Sequence, residues 1–442
     1  MTEQDPKEVV KREEGYRVSA KEPEGLQPFP RTFYVANAIE LFERLAHYGV
    51  YIGLSLYLSN IVKMTDVEVG VLLGNFRFVG SMAPIPCGAI ADRITFKRSL
   101  VIAFVGYASA YSLLLALPTK LGAISALMLA AVSGGFLKPV ITGTVARTSP
   151  PGRQTEGFAV FYRMVNSGSV TGKLLAYAVR RLVALRWVAA TSVVASLMAL
   201  GLAAFLYEDP KDAEGATKGP AFTDVLKGYG NALKNIRFAA FLVIFAGFYF
   251  MAEQFYMTFP KYVTRHIDDK APLEIITLVN PALIAIFQGL VTNTLKRFKP
   301  VTVMTLGVCI GSVSMLVMGA IPTLAGACLS GAIFALAEMT FSPRFYDYIA
   351  SFAPKGKTGM YMGLAFVPFA IGAWIGGQVS GLLIAKYLPK EGGRDPFAIW
   401  SIYAGLGLVC AFAMLVYGWA TARYDAALAA QAQKADAKSE TK

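Results

Sequence analysis

Charge is scarce in this chain. Only 16% of its 442 residues are Asp, Glu, Lys or Arg, and 55% are hydrophobic. A soluble domain carries about 25% charged residues, so that class is excluded. Cysteine is scarce too. Cys87, Cys309, Cys328 and Cys410 all fall in or near apolar stretches, and none pair at metal-ligand spacing. They read as packing residues, with no disulfide framework and no zinc site expected. No GxxxxGK[ST] loop is present, which argues against ATP as an energy source. No nucleophile–base set or metal-ligand cluster appears, so an enzyme is disfavoured and no cofactor is expected. No repeated pore loop or ring of identical charges supports a channel. No short apolar core with a cleavage site opens the chain, so no signal peptide is expected.

Long hydrophobic runs are abundant instead. A spanning helix needs about 20 mainly apolar residues. Twelve stretches qualify: 33–62, 68–92, 97–118, 121–147, 156–183, 186–207, 237–265, 271–297, 300–322, 323–353, 357–388 and 396–423. Only Pro322 and Thr323 separate the ninth from the tenth. The expected fold class is an all-α membrane protein with twelve transmembrane helices in two six-helix bundles, 33–207 and 237–423. A polar linker, 208–236, joins them, with polar tails at 1–32 and 424–442.

The formal charge of +13 fits topology better than nucleic-acid binding, because cytoplasmic loops collect Lys and Arg. With both termini inside, 25 of the 42 Lys and Arg fall on inner segments, 11 on outer ones and six within helices. The bias predicts a multi-pass protein of a plasma or bacterial inner membrane with both termini cytoplasmic. The lipid bilayer and a small-molecule substrate are the expected partners, with no nucleic acid; a functional monomer is expected.

Arg44, Arg77, Lys138, Arg163, Lys173 and Arg344 lie within these helices, as do Glu40, Glu43, Glu253 and Glu338, with Asp347 nearer an end. A charge at the bilayer centre costs at least ~2.5–3.5 kcal/mol. Such residues must face a watery cavity, pair with one another, or snorkel to an interface; the last fits Lys173, Arg344 and Asp347 best. A non-transporting scaffold would gain little by keeping them. Glu40, Glu43 and Arg44 stand at i, i+3 and i+4 and share one face, which Tyr48 and Tyr51 continue. One arginine between two carboxylates leaves a surplus negative charge, and Lys138 is a candidate to balance it. Such a cluster can exchange a proton as its neighbours move.

The segment ELFERLAHYG resembles the ExxERFxYYG signature of the proton-dependent oligopeptide transporters, a family of the major facilitator superfamily. Further segments are similar to that family in the same order: GGFLKPVITG, FYRMVNSGSVTG, FYFMAEQFYMTF, VNPALI and AEMTFSPRFYDYIASFAPKGKTGMYMG. GAIADRITFKR resembles a loop shared across the superfamily. The resemblance implies alternating access between two six-helix bundles and proton as the coupling ion. It places proton coupling at Glu40, Glu43, Arg44, Lys138 and Glu253. It places a peptide-amine pocket at Glu338, Asn166 and Asn280, with Tyr48 lining the site. Helix–helix hydrogen bonding is the alternative for the two amides.

Several positions depart from the family. Where it typically has a carboxylate-clamping arginine, this chain has Tyr51; Val140 replaces an Asn, and His47 an aromatic. Arg77 and Arg163 are candidates for the missing clamp. The excess of interior cations favours an anion. The expected function is proton-coupled import of small peptides or peptide-like solutes; the alternative is a carrier of an anionic metabolite, nitrate or drug. Asp92, Arg93 and Arg98 are expected to lock an inner gate. The glycines of GAWIGGQVSG, 372–381, read as a packing face.

Overall fold

A computed structural model of the chain describes residues 27–150, 153–210, 222–354 and 358–440. The described residues hold helices and no strand. The principal helices are α1 (Arg31–Tyr51), α2 (Asp66–Met82), α3 (Pro84–Ile94), α4 (Phe96–Ala116), α5 (Lys120–Thr148), α6 (Gln154–Leu182) and α7 (Val188–Gly201) in the first half. A short helix, α8 (Phe222–Leu233), precedes the second half. That half comprises α9 (Ile236–Ala252), α10 (Val279–Leu295), α11 (Pro300–Ala320), α12 (Leu324–Ser351), α13 (Thr358–Leu364), α14 (Phe366–Tyr387) and α15 (Pro396–Glu440).

Nine helices among the described residues are long and apolar enough to cross a membrane. The other three of the twelve expected stretches are helical as well. Two of them are diluted by charge: α1 carries Glu40, Glu43 and Arg44, and α6 carries Arg163, Lys173, Arg180 and Arg181. The third is split at Ala83 into α2 and α3, with Pro84 opening the second piece. All three belong to the first half.

The narrow break at Pro322 is real, and it has a twin. Leu117-Pro118-Thr119 separates α4 from α5 as Ile321-Pro322-Thr323 separates α11 from α12. In each turn the threonine hydroxyl accepts the backbone N–H three residues on, from Gly122 and Gly326, at 3.1 and 3.0 Å. Each following helix holds an internal proline, Pro139 and Pro343, at the same distance from its threonine. The halves are therefore built on one repeated plan, as major facilitator halves are.

Buried apolar side chains form two clusters. One is drawn almost wholly from 29–207, the other from 232–417. The halves meet most closely along α2 and α14. A Cβ on Gly70 would stand 2.3 Å from the Gly377 carbonyl oxygen, so only glycine permits this approach. Across the molecule, α6 touches the second half mainly through the segment Leu273–Ile276, and α10 packs chiefly on α12.

The alternation of the helices brings the first described residues, near Gln27, and the stretch around Tyr424 to one end of the bundle. There Arg153 donates to the Gln27 carbonyl, and the Arg237 guanidinium stands over the Tyr424 ring. Helix α8 docks there against both α3 and α13, so the expected polar linker contains an amphipathic helix that touches both halves. The opposite end is called the distal mouth below.

Candidate transport site

The α1 face begins the site. Arg44 Nε donates to Glu43, and stands 3.1 Å from a Glu40 oxygen. Tyr107 of α4 donates its hydroxyl to Glu43 at 3.2 Å. Glu40 and Glu43 are almost completely buried. The i, i+3, i+4 spacing brings the three ions together, and Gly168 of α6 allows the close packing that encloses Arg44.

Glu253 lies just beyond α9, where the helix is interrupted before Gln254–Met257. Its carboxylate accepts two bonds from Arg77, at 2.7 and 2.9 Å, and one from Tyr51 at 3.3 Å. Arg77 and Tyr51 belong to the first half, so this cluster ties the halves together at mid-depth. Arg77 also stands over the Tyr51 and Phe369 rings. Tyr51 and Arg77, both expected as substrate contacts, thus engage a carboxylate in this conformation. His47 stacks on Tyr51 with ring centroids 5.2 Å apart.

Lys138 behaves differently. It sits near the middle of α5 yet is exposed, with its ammonium 5.7 Å from the centre of the Phe366 ring. It is within electrostatic reach of Glu40, Glu43, Arg44 and Arg77. An exposed lysine halfway along a spanning helix marks a hydrated chamber.

The second pole of the chamber is Glu338 of α12, which accepts a bond from Asn280 of α10 at 3.2 Å. Lys173 lies within its electrostatic reach. That lysine is 3% exposed and donates to the Thr277 carbonyl at 3.0 Å across the halves, so it does not snorkel. Its ammonium stands 5.6 Å from the centre of the Tyr48 ring. Glu253 and Glu338 both act electrostatically on Tyr249 and Tyr256. Electrostatic contacts thus link Lys138 to Glu43 and, through Tyr249 and Tyr256, Glu253 to Glu338.

Other expected residues lie apart. Asn166 is exposed and donates to the Tyr162 carbonyl of its own helix at 3.0 Å. Arg163 is exposed on α6. Arg344 stands 3.8 Å from the exposed Asp347, near the end of α12. Arg93 and Arg98 are exposed at the α3–α4 junction, and the Asp92 side chain lies outside the described residues. In that junction the Lys97 backbone N–H donates to Asp209, at the start of the linker, at 2.8 Å.

Sequence reasoning passed over the distal mouth. Asp66, first residue of α2, accepts bonds from Lys261 at 2.8 Å and from Arg265 at 2.7 and 2.9 Å. Burial opposes the charge on Asp66, but Arg265 and Lys261 outweigh it and hold the carboxyl below its usual range. On the α6 side, Arg180 forms a two-pronged pair with the buried Glu274 at 2.7 and 2.8 Å. Lys261 and Glu274 fall inside the seventh and eighth apolar stretches, a signal that could have singled them out. Among the described residues, every ion pair between the halves lies at mid-depth or at this mouth.

The Major Facilitator Superfamily family model matches residues 38–377. The multidrug resistance protein MdtH of Citrobacter koseri is 24% identical over 378 residues, 85% of this chain and 90% of the relative. A POT family transporter in complex with 5-aminolevulinic acid superposes with a TM-score of 0.74 at 17% identity, covering 88% of this chain and 96% of that one. The nucleoside transporter NupG superposes with a TM-score of 0.77 at 16% identity, covering 87% and 99%. At such identities the solved structures establish the fold, and the family model establishes the relationship. The chain belongs to the major facilitator superfamily and is a membrane transporter, not an enzyme.

Proposed function

We propose that this transporter is a proton-coupled symporter for small peptides or peptide-like solutes. One observation carries the reading: Glu253 bridges the halves through Arg77 and Tyr51, with Lys138 within electrostatic reach of Arg77 and Glu338 acting on Tyr249 and Tyr256 as Glu253 does. Protonating Glu253 cancels the charge that holds Arg77, and so loosens a tie between the halves at mid-depth. An inward-negative potential supplies ~2.3 kcal/mol per proton per 100 mV for such a cycle. Among the described residues, the interhalf ion pairs gather at mid-depth and the distal mouth, so these are the ties that alternating access would have to break. Glu338 with Asn280 offers an anionic pole for an ammonium group, and the exposed Lys138 a cationic pole for an acid.

The POT family relative with bound 5-aminolevulinic acid is consistent with a solute carrying both charges. A second reading, a non-peptide carrier, is favoured by Tyr51, whose hydroxyl serves Glu253 where an arginine clamp was expected. The multidrug and nucleoside transporters among the relatives point the same way. Uptake into proteoliposomes under an imposed pH gradient separates the two. Competition by di- and tripeptides supports the first; competition only by organic anions, nucleosides or drugs overturns it. No response to the gradient by any solute sinks the proton coupling.

A further inference from the structure

We propose that the distal mouth carries a second binding site, for a phosphate-type oxyanion, whose occupation holds that mouth shut. A cavity of about 360 Å³ opens on the seam between the halves there, lined by Lys63 and Asp66 of the first half and Lys390 of the second. The two lysines are exposed. The two carboxylates of the first half beside the cavity are already engaged. Both Asp66 oxygens are taken by Lys261 and Arg265. Glu68 accepts bonds from Lys120 at 2.6 Å and from the Thr65 backbone at 2.8 Å.

Lys390 uses one donor on the Ser59 carbonyl at 3.3 Å and lies within electrostatic reach of Lys261. Around this seam, the cations Lys63, Lys261, Arg265 and Lys390 outnumber the carboxylates Asp66 and the exposed Glu391. Closing the mouth gathers cations from opposite halves, and their repulsion opposes closure. An oxyanion between them removes that repulsion and bridges the halves. Lysines serve phosphate as point charges that need no fixed geometry.

The backbone adds an independent sign. Lys63 has φ +64°, in the left-handed region that glycine or asparagine occupies at less cost. A lysine held there against that strain is a residue whose side chain has a use. The phosphate group has two sources, free phosphate or a phospholipid headgroup at that mouth.

Only the effect on transport rests on the alternating-access reading; binding can be measured without it. Thermal unfolding of the purified full chain is followed with inorganic phosphate against chloride at equal ionic strength. It is repeated in nanodiscs of phosphatidylglycerol against phosphatidylcholine. Phosphate or the anionic lipid is expected to raise the melting temperature, and which of them does so identifies the source. Lys63→Gly removes the charge and the strain together, so it should melt no lower than the parent without phosphate. It should nevertheless weaken the phosphate effect about tenfold, as should Lys390→Gln. Protection no greater than that given by chloride and phosphatidylcholine overturns the site, as does equal protection of a Lys63→Gly, Lys390→Gln double variant. Phosphate protection without any gradient-driven solute flux would keep the site and sink the proton-coupled symport reading instead.

Discussion

Glu253 and Asp66 perform the same local task in different surroundings. Each is a carboxylate from one half, held by two donor side chains of the other. Glu253 lies at mid-depth, bonded to Tyr51 and within electrostatic reach of Tyr249 and Tyr256. Asp66 closes the distal mouth, where two cations keep its carboxyl below the usual range. The contrast shows how one kind of ion cluster can serve as a switch or as a lock. A carboxylate with a single cation has one charge balance to lose on protonation. A carboxylate with two cations stays ionised and only holds.

The largest expected effect comes from breaking the Arg77–Glu253 tie. Removing one partner of a buried pair leaves an unpaired charge, at a cost of about 3–5 kcal/mol. Arg77→Gln should therefore abolish gradient-driven uptake and lower the melting temperature; unchanged uptake in proteoliposomes would remove Glu253 from the switch. Glu43→Gln should abolish uphill uptake while sparing exchange down a gradient, since on the proposed mechanism it removes a coupling charge while Glu40 still pairs with Arg44. Equal loss of both would end its coupling role. Gly377→Leu attacks the seam that serves switch and lock alike. With a Cβ at Gly377 standing 2.5 Å from the Gly70 carbonyl oxygen, overpacking should cost about 1–3 kcal/mol, read as a lower melting temperature.

The smallest effect concerns pH at the lock. A depressed carboxyl pKa contributes stability that is complete above the unfolded value and is lost as pH falls through the folded one. Asp66 is lowered from 3.8, so its contribution should not vary between pH 5 and 8. Asp66→Asn should loosen the distal mouth by the same amount at both pH values, measured as labelling of a cysteine placed beside Lys390. A loosening that changes across that range would make Asp66 a switch like Glu253.

Much of the central site was legible because it is local. Glu40, Glu43 and Arg44 share a face by spacing alone, and their pairing follows from helix geometry. Arg77 and Glu253 are 176 residues apart, and no spacing rule joins them. Arg77 read as a cavity charge, but its partner could be assigned only in three dimensions. The turns LPTKLGA and IPTLAGA are alike in sequence, but only their equivalent places in the fold show that the two halves share a plan. Lys261 and Glu274 were harder to place because they sit at the ends of apolar stretches, where a charge ordinarily belongs to the interface. Their burial depends on the opposite half covering them.

By itself the sequence determined the class of molecule, the run of helices and the charged face of α1, because hydrophobic length and helical period act within short segments of chain. Tertiary structure alone decided that Arg77 and Tyr51 converge on Glu253, that Asn166 turns to its own helix, and that the distal mouth is held by Asp66 and Glu274. Those pairings depend on which helices of the two halves lie side by side, and a buried charge takes whichever partner that packing brings within reach.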